Sequence, residues 1–225
     1  MKDDAGNHIF TEDLDYSQTD DTSIWGNGDP ETITLLKRLI SKKKIVGDWL
    51  NFAAGDGRYN TILLSSVDSL IATDIDSDAL KKLMRVTPKS LLKKVTTTEQ
   101  NITKQFQFSS QTFDGVFNTG TLHLFPVTIL ESIFSEVARV LKSGGLFIFD
   151  FATDVKRIKP DGTIVGRSGV DYTMGEARKV LVEILTENKF QFELIDCVVP
   201  PEEVTSGDGT YTFSCNFLLV VASRL

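Results

Sequence analysis

The sequence predicts an α/β fold: a three-layer α-β-α sandwich around a mostly parallel, seven-stranded sheet with a C-terminal antiparallel strand hairpin. Strand-like apolar segments alternate with amphipathic helices five times, which is typical of a parallel sheet covered by helices on both faces. The last two strand-like segments follow each other without an intervening helix. Because their connection is too short for a helical crossover, these two strands are expected to pair antiparallel.

Helices are expected where apolar residues recur at helical spacing between start and stop signals. The segment Asp29-Pro30-Glu31 has the signals of a helix start, with a capping Asp, a Pro in the first helical position and an acid in the first turn. The pair Gly144-Gly145 ends a strongly amphipathic helix, because glycine adopts the left-handed cap conformation. The predicted helices cover residues 30–43, 58–66, 77–86, 126–141 and 175–188.

Strands are expected in short runs that are rich in β-branched and apolar residues. Residues 146–151 are almost continuously apolar, as expected for a central strand that is buried on both faces. The next stretch, residues 153–173, is predicted to be irregular, with a hairpin at Asp161-Gly162. The predicted strands cover residues 45–52, 70–74, 95–98, 113–118, 146–151, 190–199 and 211–222.

The net charge of −7 is concentrated at the N-terminus. Residues 1–23 hold seven acidic residues and one lysine, so we expect a flexible acidic arm ahead of a single domain over residues 24–225. An acidic arm on an almost neutral body argues against binding to DNA or RNA. Residues 153–173 follow a strand at the edge where ligands bind in open α/β sheets, and are therefore expected to act as a lid-like insertion.

The composition indicates a cytoplasmic protein. No apolar run approaches the ~20 residues of a membrane span, and the polar, acidic N-terminus does not resemble a secretory signal. The two cysteines, Cys197 and Cys215, lie in strand-like segments and are expected to be reduced and buried. Neither the cysteines nor the two histidines form a cluster with metal-ligand spacing.

A turn of small residues follows the first predicted strand. Residues 49–57 are Trp-Leu-Asn-Phe-Ala-Ala-Gly-Asp-Gly, and the second predicted strand ends at Asp74. Small residues let the backbone approach a ligand, and a carboxylate at the neighbouring strand end can accept two ribose hydroxyl groups. Together they predict a site for an adenosine-bearing cofactor. A nicotinamide-dependent reductase is the weaker alternative. The turn lacks the third glycine of the Gly-x-Gly-x-x-Gly motif that such enzymes carry, and the last two predicted strands form a hairpin.

In order and spacing, these motifs resemble those of the class I S-adenosylmethionine-dependent methyltransferases. Residues 51–57 are similar to the family's first motif, and residues 71–76 are similar to its second strand. Residues 139–146, Arg-Val-Leu-Lys-Ser-Gly-Gly-Leu, resemble the turn before its fifth strand. The resemblance covers residues 45–152 strongly. It implies that S-adenosylmethionine is the cofactor and that S-adenosylhomocysteine is its product.

The resemblance also implies a set of cofactor-binding residues. The small-residue turn would approach the cofactor, and the acid at the end of the second strand would bind the ribose. A polar residue before the fourth strand would meet the adenine amine, and the end of that strand would lie beside the methionine part. The implied residues are Asn51, Phe52, Ala53, Ala54, Gly55, Gly57, Asp74, Ile75, Asn101, Ile102, Asn118, Thr119 and Gly120.

Two residues of the turn depart from the family's pattern. Asn51 replaces an acid that helps to orient the ammonium group of the cofactor, and an amide accepts a weaker hydrogen bond than a carboxylate does. Ala53 replaces the first glycine, so a positive backbone angle at this position would be strained. These departures leave a second hypothesis open, namely a cofactor-binding protein without transferase activity and with a regulatory or partner role.

The sequence says less about catalysis. Methyl transfer requires mainly that the acceptor is positioned and, for some acceptors, that a proton is removed. His123, just after the fourth predicted strand, is the candidate general base or acceptor contact, because histidine titrates near neutral pH. Tyr16, Trp25 and Tyr172 are candidate substrate-contacting aromatic residues. We therefore expect methyl transfer to O, N or C of a small molecule, with no nucleic acid or membrane as partner.

Overall fold

The computed structural model describes residues 14–17, 22–165, 169–206 and 209–225 of the chain. Within these ranges it contains eight strands and five α-helices. The strands are β1 (Asp48–Phe52), β2 (Ser69–Asp74), β3 (Val95–Glu99), β4 (Phe113–Asn118), β5 (Leu141–Ile158), β6 (Phe190–Val198), β7 (Glu202–Ser206) and β8 (Gly209–Arg224). The helices are α1 (Pro30–Ser41), α2 (Asn60–Leu64), α3 (Ser77–Val86), α4 (Val127–Val140) and α5 (Met174–Glu187).

The strands form one sheet in the order β3-β2-β1-β4-β5-β8-β6. Neighbours from β3 to β5 pair parallel, whereas β8 pairs antiparallel with both β5 and β6. This arrangement confirms the predicted mostly parallel sheet with antiparallel C-terminal strands. It adds a strand to the seven that we expected, because β7 pairs with the first residues of β8 in the stretch predicted to be a loop.

Two apolar clusters, one on each face of the sheet, make the three layers. On one face, Phe147 and Phe149 of β5 pack with Phe134 of α4 and with apolar residues of α5. On the other face, Trp49 and Ile148 belong to a cluster that includes apolar residues of α1, α2 and α3. The central strands β1 and β4 and the middle of β5 are therefore buried on both sides, as the nearly continuous apolar run of residues 146–151 predicted for β5.

The centre of the sheet depends on one close contact between β1 and β4. Gly115 of β4 lies against the indole of Trp49, and a Cβ atom added to Gly115 would lie 2.1 Å from Cε2 of that ring. The indole is fully buried and its Nε1 donates a hydrogen bond to the Val46 carbonyl oxygen at 2.8 Å. Glycine is thus required at position 115 for space, and not for a special backbone angle.

The main difference from the sequence-based expectation lies after residue 152. The prediction that residues 153–173 are irregular is wrong for the first part of that stretch, because β5 continues to Ile158 and pairs with β8 as far as Thr212. The predicted hairpin is present, since Ile158 bridges Ile164 and the Lys159 amide donates to the Thr163 carbonyl oxygen. Adjacent polar residues at 153–154 and 156–157 made a partly exposed strand resemble a loop.

Short-range signals mark the helix starts well, whereas the prediction that Gly144-Gly145 ends α4 is wrong, because α4 ends at Val140, its cap residue Leu141 is extended, and both glycines lie in β5. Asp29 caps α1, since its Oδ1 accepts hydrogen bonds from the Glu31 and Thr32 amides at 2.9 and 3.0 Å. Helix α5 begins with a capping box between Thr173 and Glu176. The predicted acidic arm, residues 1–23, lies mostly outside the described residues.

Candidate active site

The turn after β1 has the backbone shape that a close ligand contact requires. The angle φ is positive at Ala53 (46°), Gly55 (54°) and Gly57 (83°). The Ala54 amide donates a hydrogen bond to the Thr73 carbonyl oxygen at 2.8 Å, which fixes the turn to the end of β2. Ala53 thus has the left-handed backbone conformation that glycine adopts without strain, which is why the motif has glycine at this position.

Asp74, at the end of β2, is joined to the turn by a hydrogen bond. Its Oδ2 accepts from the Gly55 amide at 2.7 Å, and its Oδ1 accepts from the Asp76 amide at 3.0 Å. Burial raises the pKa of this carboxyl above its ordinary value, against the lowering by these amides and that of Ile75. A carboxylate has about four lone-pair positions, so capacity for ribose hydroxyl groups remains.

Asn51 faces helix α2 and not the open end of the turn. Its side chain is almost fully buried, and its Nδ2 donates to Oδ1 of Asn60 at 2.7 Å. The adjacent Phe52 belongs to the core on the opposite face, where its ring lies 5.7 Å from that of Phe106. Of the implied cofactor residues, these two therefore pack beneath the turn, Asn51 against α2 and Phe52 in the core.

Asp56 is a site residue that the sequence reasoning did not single out. Its oxygens accept hydrogen bonds from Ser23 Oγ at 2.6 Å and from the Ile24 amide at 2.7 Å. Lys82 of α3 brings its ammonium to 3.6 Å from the same carboxylate, and both side chains are buried. The signal in the sequence was an acid between the two glycines of the turn. An acid in such a tight turn is expected to be buried, and a buried charge needs hydrogen-bond or ionic partners.

The end of β4 contributes a second group of expected residues. Asn118 is fully buried, and its Nδ2 donates to the Phe52 carbonyl oxygen at 2.9 Å, so it joins the ends of β4 and β1. Thr119 is half-buried, and the exposed Gly120 donates its amide to Oδ1 of Asp150 at 2.6 Å. The structure thus brings these three residues to the same sheet edge as the turn.

Asp150 is the other residue that the sequence reasoning missed. It lies in β5, directly after the buried Phe149, and is itself partly exposed. Burial by its surroundings raises the pKa of the Asp150 carboxyl to about 6, although the Gly120 amide and the charge of Arg58 oppose the shift. The signal was a single carboxylate inside an apolar strand, which the apolar average of that segment concealed.

The expected adenine side is formed by the loop after β3. Oδ1 of Asn101 accepts hydrogen bonds from the Thr103 amide at 2.9 Å and from the Thr103 hydroxyl at 2.8 Å, and Ile102 is buried beside it. The backbone amide of the preceding residue, Gln100, donates a hydrogen bond to the Asp74 carbonyl oxygen at 2.8 Å. This loop therefore stands next to Asp74, the acid that the resemblance implies would bind the ribose.

His123 and Tyr172 flank the same aromatic ring on the α4/α5 face. His123 lies in a 3-10 turn after β4, and its ring centroid is 6.4 Å from that of Phe151. The Tyr172 ring is 5.0 Å from Phe151, and its hydroxyl donates to the Phe125 carbonyl oxygen at 2.9 Å. Both residues are at most 8% exposed, so the structure places them together in a mainly apolar cluster beyond β4.

Tyr16 and Trp25 lie on the other side, beside the turn. Tyr16 is buried, and its burial, together with the charges of Asp74, Asp76 and Asp56, raises the pKa of its hydroxyl. Trp25 is 51% exposed, and its Nε1 would be 3.6 Å from a Cβ atom added to Gly55. These two aromatic residues, expected to contact substrate, are placed where they can cover a bound cofactor.

Unsatisfied buried polar atoms test whether the residues fit an adenosine-bearing cofactor. Among the described residues, the buried atoms without a hydrogen-bond partner include Nδ2 of Asn60, Oγ1 of Thr73, Oδ1 of Asn118 and the side-chain amide of Gln100. Thr73, Gln100 and Asn118 lie at or next to the carboxyl ends of β2, β3 and β4, and Asn60 is bonded to Asn51 near the end of β1. Such a concentration is expected where a polar ligand or water supplies the missing partners. The residues present therefore fit such a cofactor.

Comparisons with known proteins bear on the class of this fold. Residues 50–149 match the family described as methyltransferase domain, whereas no curated protein sequence matches the chain. An S-adenosylmethionine-dependent methyltransferase from Clostridium acetobutylicum is 14% identical, with TM-score 0.62 over 89% of this chain and 94% of that one. Magnesium protoporphyrin IX methyltransferase from Synechocystis, with bound S-adenosylhomocysteine, is 15% identical, with TM-score 0.59 over 87% and 83%.

A third similar structure is the complex of DhpI with S-adenosylhomocysteine, which is 22% identical, with TM-score 0.58 over 86% of this chain and 85% of that one. At these identities the similarity shows the fold. Together with the matched domain, it confirms the resemblance to the class I S-adenosylmethionine-dependent methyltransferases that the motifs predicted.

Two classes of feature are absent from the described part of the chain. No group of three or more His, Cys, Asp or Glu side chains in it is arranged to hold a metal ion. None of its helices is long and apolar enough to cross a lipid bilayer.

Proposed function

We propose that this protein transfers a methyl group from S-adenosylmethionine to O, N or C of a small molecule. The observation that carries the proposal is the direct hydrogen bond between the turn and the ribose-side acid, from the Gly55 amide to Asp74. A turn with positive φ at three positions, held against a carboxylate at the neighbouring strand end, suits the adenosine half of this cofactor.

The described residues divide the work of cofactor binding between them. Asp74 would accept the ribose hydroxyl groups, and the loop that begins at Gln100 and Asn101 would lie against the adenine. The turn from Ala53 to Gly57 would follow the cofactor backbone. The bound cofactor supplies a methyl group that is already activated by its sulfonium, so the protein has mainly to align the acceptor and exclude water.

On the acceptor side, the proposal uses the cluster of His123, Phe151 and Tyr172. His123 can receive a proton from an O–H or N–H acceptor, and the aromatic rings offer an apolar wall. A small acceptor is favoured because the net charge of −7 opposes a nucleic acid partner. One similar structure is named for methyl transfer to a small molecule, the magnesium protoporphyrin IX methyltransferase, and another, the DhpI complex, contains S-adenosylhomocysteine.

A second candidate function, cofactor binding without transfer, is favoured by a specific observation. Asn51 gives no negative charge, and its side chain is bonded to Asn60. The backbone of Ala53 is strained by its positive φ, whereas a glycine at this position would not be. Both features are compatible with a regulatory or partner protein that has kept the fold and lost the need for turnover.

The first experiment is calorimetric titration of the wild-type protein with S-adenosylmethionine and S-adenosylhomocysteine, beside Asp74→Ala and Asp161→Ala. We expect micromolar binding to the wild type and to Asp161→Ala, which removes a carboxylate at an exposed hairpin tip. Asp74→Ala should weaken binding by at least 10-fold, because hydrogen bonds to a charged group contribute about 1.5–3 kcal/mol. A folded wild-type protein that binds neither compound would contradict the proposal.

The second experiment distinguishes an enzyme from a binding protein. Release of S-adenosylhomocysteine is followed with a panel of phenols, carboxylic acids, amines and activated carbon acids, using the wild type and His123→Ala. Turnover with one class supports transfer, and its loss in His123→Ala supports the role of the imidazole. Tight cofactor binding without turnover on any class would favour the non-catalytic alternative.

A further inference from the structure

Asp150 is placed closer to the ligand edge than the residue that the family's pattern would use. In the sheet, Asn51 stands in one row with Phe117 and Ile148, so these three side chains share a face. Asp150 lies on that same face, two residues further along β5, which corresponds to about 6.6 Å toward the carboxyl edge. A carboxylate thus stands beyond a row in which position 51 supplies only an amide.

The carboxylate of Asp150 is held in place but keeps capacity for another partner. Oδ1 accepts the Gly120 amide at 2.6 Å. Within the described part of the chain, no Lys, Arg or His nitrogen forms an ion pair with Asp150. A partly buried carboxylate with no cation paired to it is costly, and a ligand that brings a positive charge removes that cost.

Arg58 supplies a positive charge at the same place without neutralising Asp150. It follows Gly57 directly, its Nη1 donates to the Trp25 carbonyl oxygen at 3.2 Å, and its guanidinium carbon lies 4.9 Å from the centre of the Tyr59 ring. Its charge acts on Asp150. One N–H of the five in a guanidinium is used in this way, so donors remain for an anion.

An anion and a cation that are close enough to interact, and yet are not paired with each other, match a zwitterion. We infer that Asp150 binds the α-ammonium group of the cofactor's methionine part and that Arg58 binds its α-carboxylate. The inference rests on the proposed function, since it concerns the same cofactor. On this inference, Asp150 in β5 supplies the negative charge that Asn51 lacks.

The test compares two ligands that differ in the aminocarboxyl end. S-adenosylhomocysteine carries the zwitterion, whereas 5′-methylthioadenosine keeps the adenosine and the thioether and lacks it. Calorimetric titrations use the wild type, Asp150→Asn, Arg58→Gln and the control Asp161→Asn, after circular dichroism has shown that each is folded. Asn at position 150 keeps an acceptor for the Gly120 amide and removes only the charge.

We expect Asp150→Asn and Arg58→Gln each to weaken S-adenosylhomocysteine binding by roughly 10- to 100-fold. Binding of 5′-methylthioadenosine should change less than 3-fold, and Asp161→Asn should behave as the wild type with both ligands. Equal losses for both ligands would mean that the two residues only support the turn, and unchanged S-adenosylhomocysteine binding would mean that they do not touch it. Either result overturns the inference while the proposed function stands. A wild type that binds neither ligand overturns both.

A pH series adds an independent readout. In the free protein the pKa of Asp150 is about 6, so protonation below that pH removes the charge that would hold the ammonium. Wild-type affinity for S-adenosylhomocysteine should therefore rise between pH 5 and 7 and then level off. Asp150→Asn should lack this component and retain only the part due to other groups, including Asp74.

The groups whose electrostatic interaction with Asp150 has been identified come from several elements. They are Arg58 and Tyr59 before α2, Asp29 at the start of α1 and Cys197 of β6. None of them is changed in Asp150→Asn, so the difference between the two pH curves isolates Asp150. Parallel curves for the wild type and Asp150→Asn would contradict the assignment.

Discussion

At the scale of single residues, Ala53 shows how a departure from a motif can be interpreted physically. The sequence left two possibilities, a position that needs only a small side chain and a position that needs a positive φ. The structure gives φ of 46°, so an L-residue is held in the left-handed region, at a cost of roughly 1–2 kcal/mol. The turn has kept the family's backbone shape without the residue that adopts it most easily.

Ala53→Gly is therefore expected to leave the free energy of unfolding unchanged or to raise it by up to about 1 kcal/mol, because relief of strain outweighs the entropy of the added glycine. The neighbouring Ala54→Gly is the matched control and should lower it by about 0.5–1 kcal/mol. Urea denaturation measures both changes. Equal losses in the two variants would show that Ala53 is not strained.

The candidate site residues that sequence reasoning singled out differ in a definite way from those that it did not. Asp74 and the turn glycines were predictable because they follow strand ends at a fixed spacing. Asp56 and Asp150 were not singled out because each depends on a contact between distant parts of the chain, with Ser23 in one case and with Gly120 in the other. Sequence spacing carries no information about such pairs.

At the scale of elements, β4 and α3 have the bounds that the sequence predicted, Phe113–Asn118 and Ser77–Val86. Both have strong local signals, namely dense apolar residues in β4 and an Asp76 cap followed by a pre-proline stop in α3. The C-terminal end of β5 and the existence of β7 were not predicted, because these segments are polar and their hydrogen-bond partners lie in β8. Pairing across the sheet, and not local propensity, decides their structure.

The contact between β1 and β4 gives a prediction at this scale. Gly115→Ala should lower the free energy of unfolding by at least about 2 kcal/mol, because the added Cβ overlaps the buried ring of Trp49, which has no room to move. Gly175→Ala in α5 is the control, since nothing lies within 4 Å of its Cβ position. That change should be neutral or stabilising by up to about 1 kcal/mol. Equal stability of both variants, measured by guanidinium denaturation, would contradict the tight packing.

At the scale of the whole molecule, Asp56 connects three parts of the chain that are remote in sequence. Its carboxylate bonds the segment before α1 through Ser23 and Ile24, belongs to the turn itself and lies beside Lys82 of α3. The segment that covers the turn is thus fastened to the site through a buried charge. Events at the turn and the position of that segment are coupled through one side chain.

Asp56→Ala should lower the free energy of unfolding by about 3–5 kcal/mol, since it removes two hydrogen bonds to a buried carboxylate, from Ser23 and Ile24, together with the pair with Lys82. In contrast, Asp78→Ala breaks the exposed pair with Lys81 and should produce no measurable change. Thermal melts of both variants provide the measurement. A loss in Asp56→Ala no larger than that in Asp78→Ala would show that the pair with Lys82 contributes little.

The position of β8 has a consequence for synthesis on the ribosome. This strand follows all the others in the chain and yet lies between β5 and β6 in the sheet. During synthesis, β5 has one unpaired edge until β8 emerges. β6, which emerges after α5, also has no strand to pair with until then. An open edge of this kind attracts other chains. The interval between translation of β5 and release of β8 is therefore the period in which the nascent protein most needs protection from aggregation.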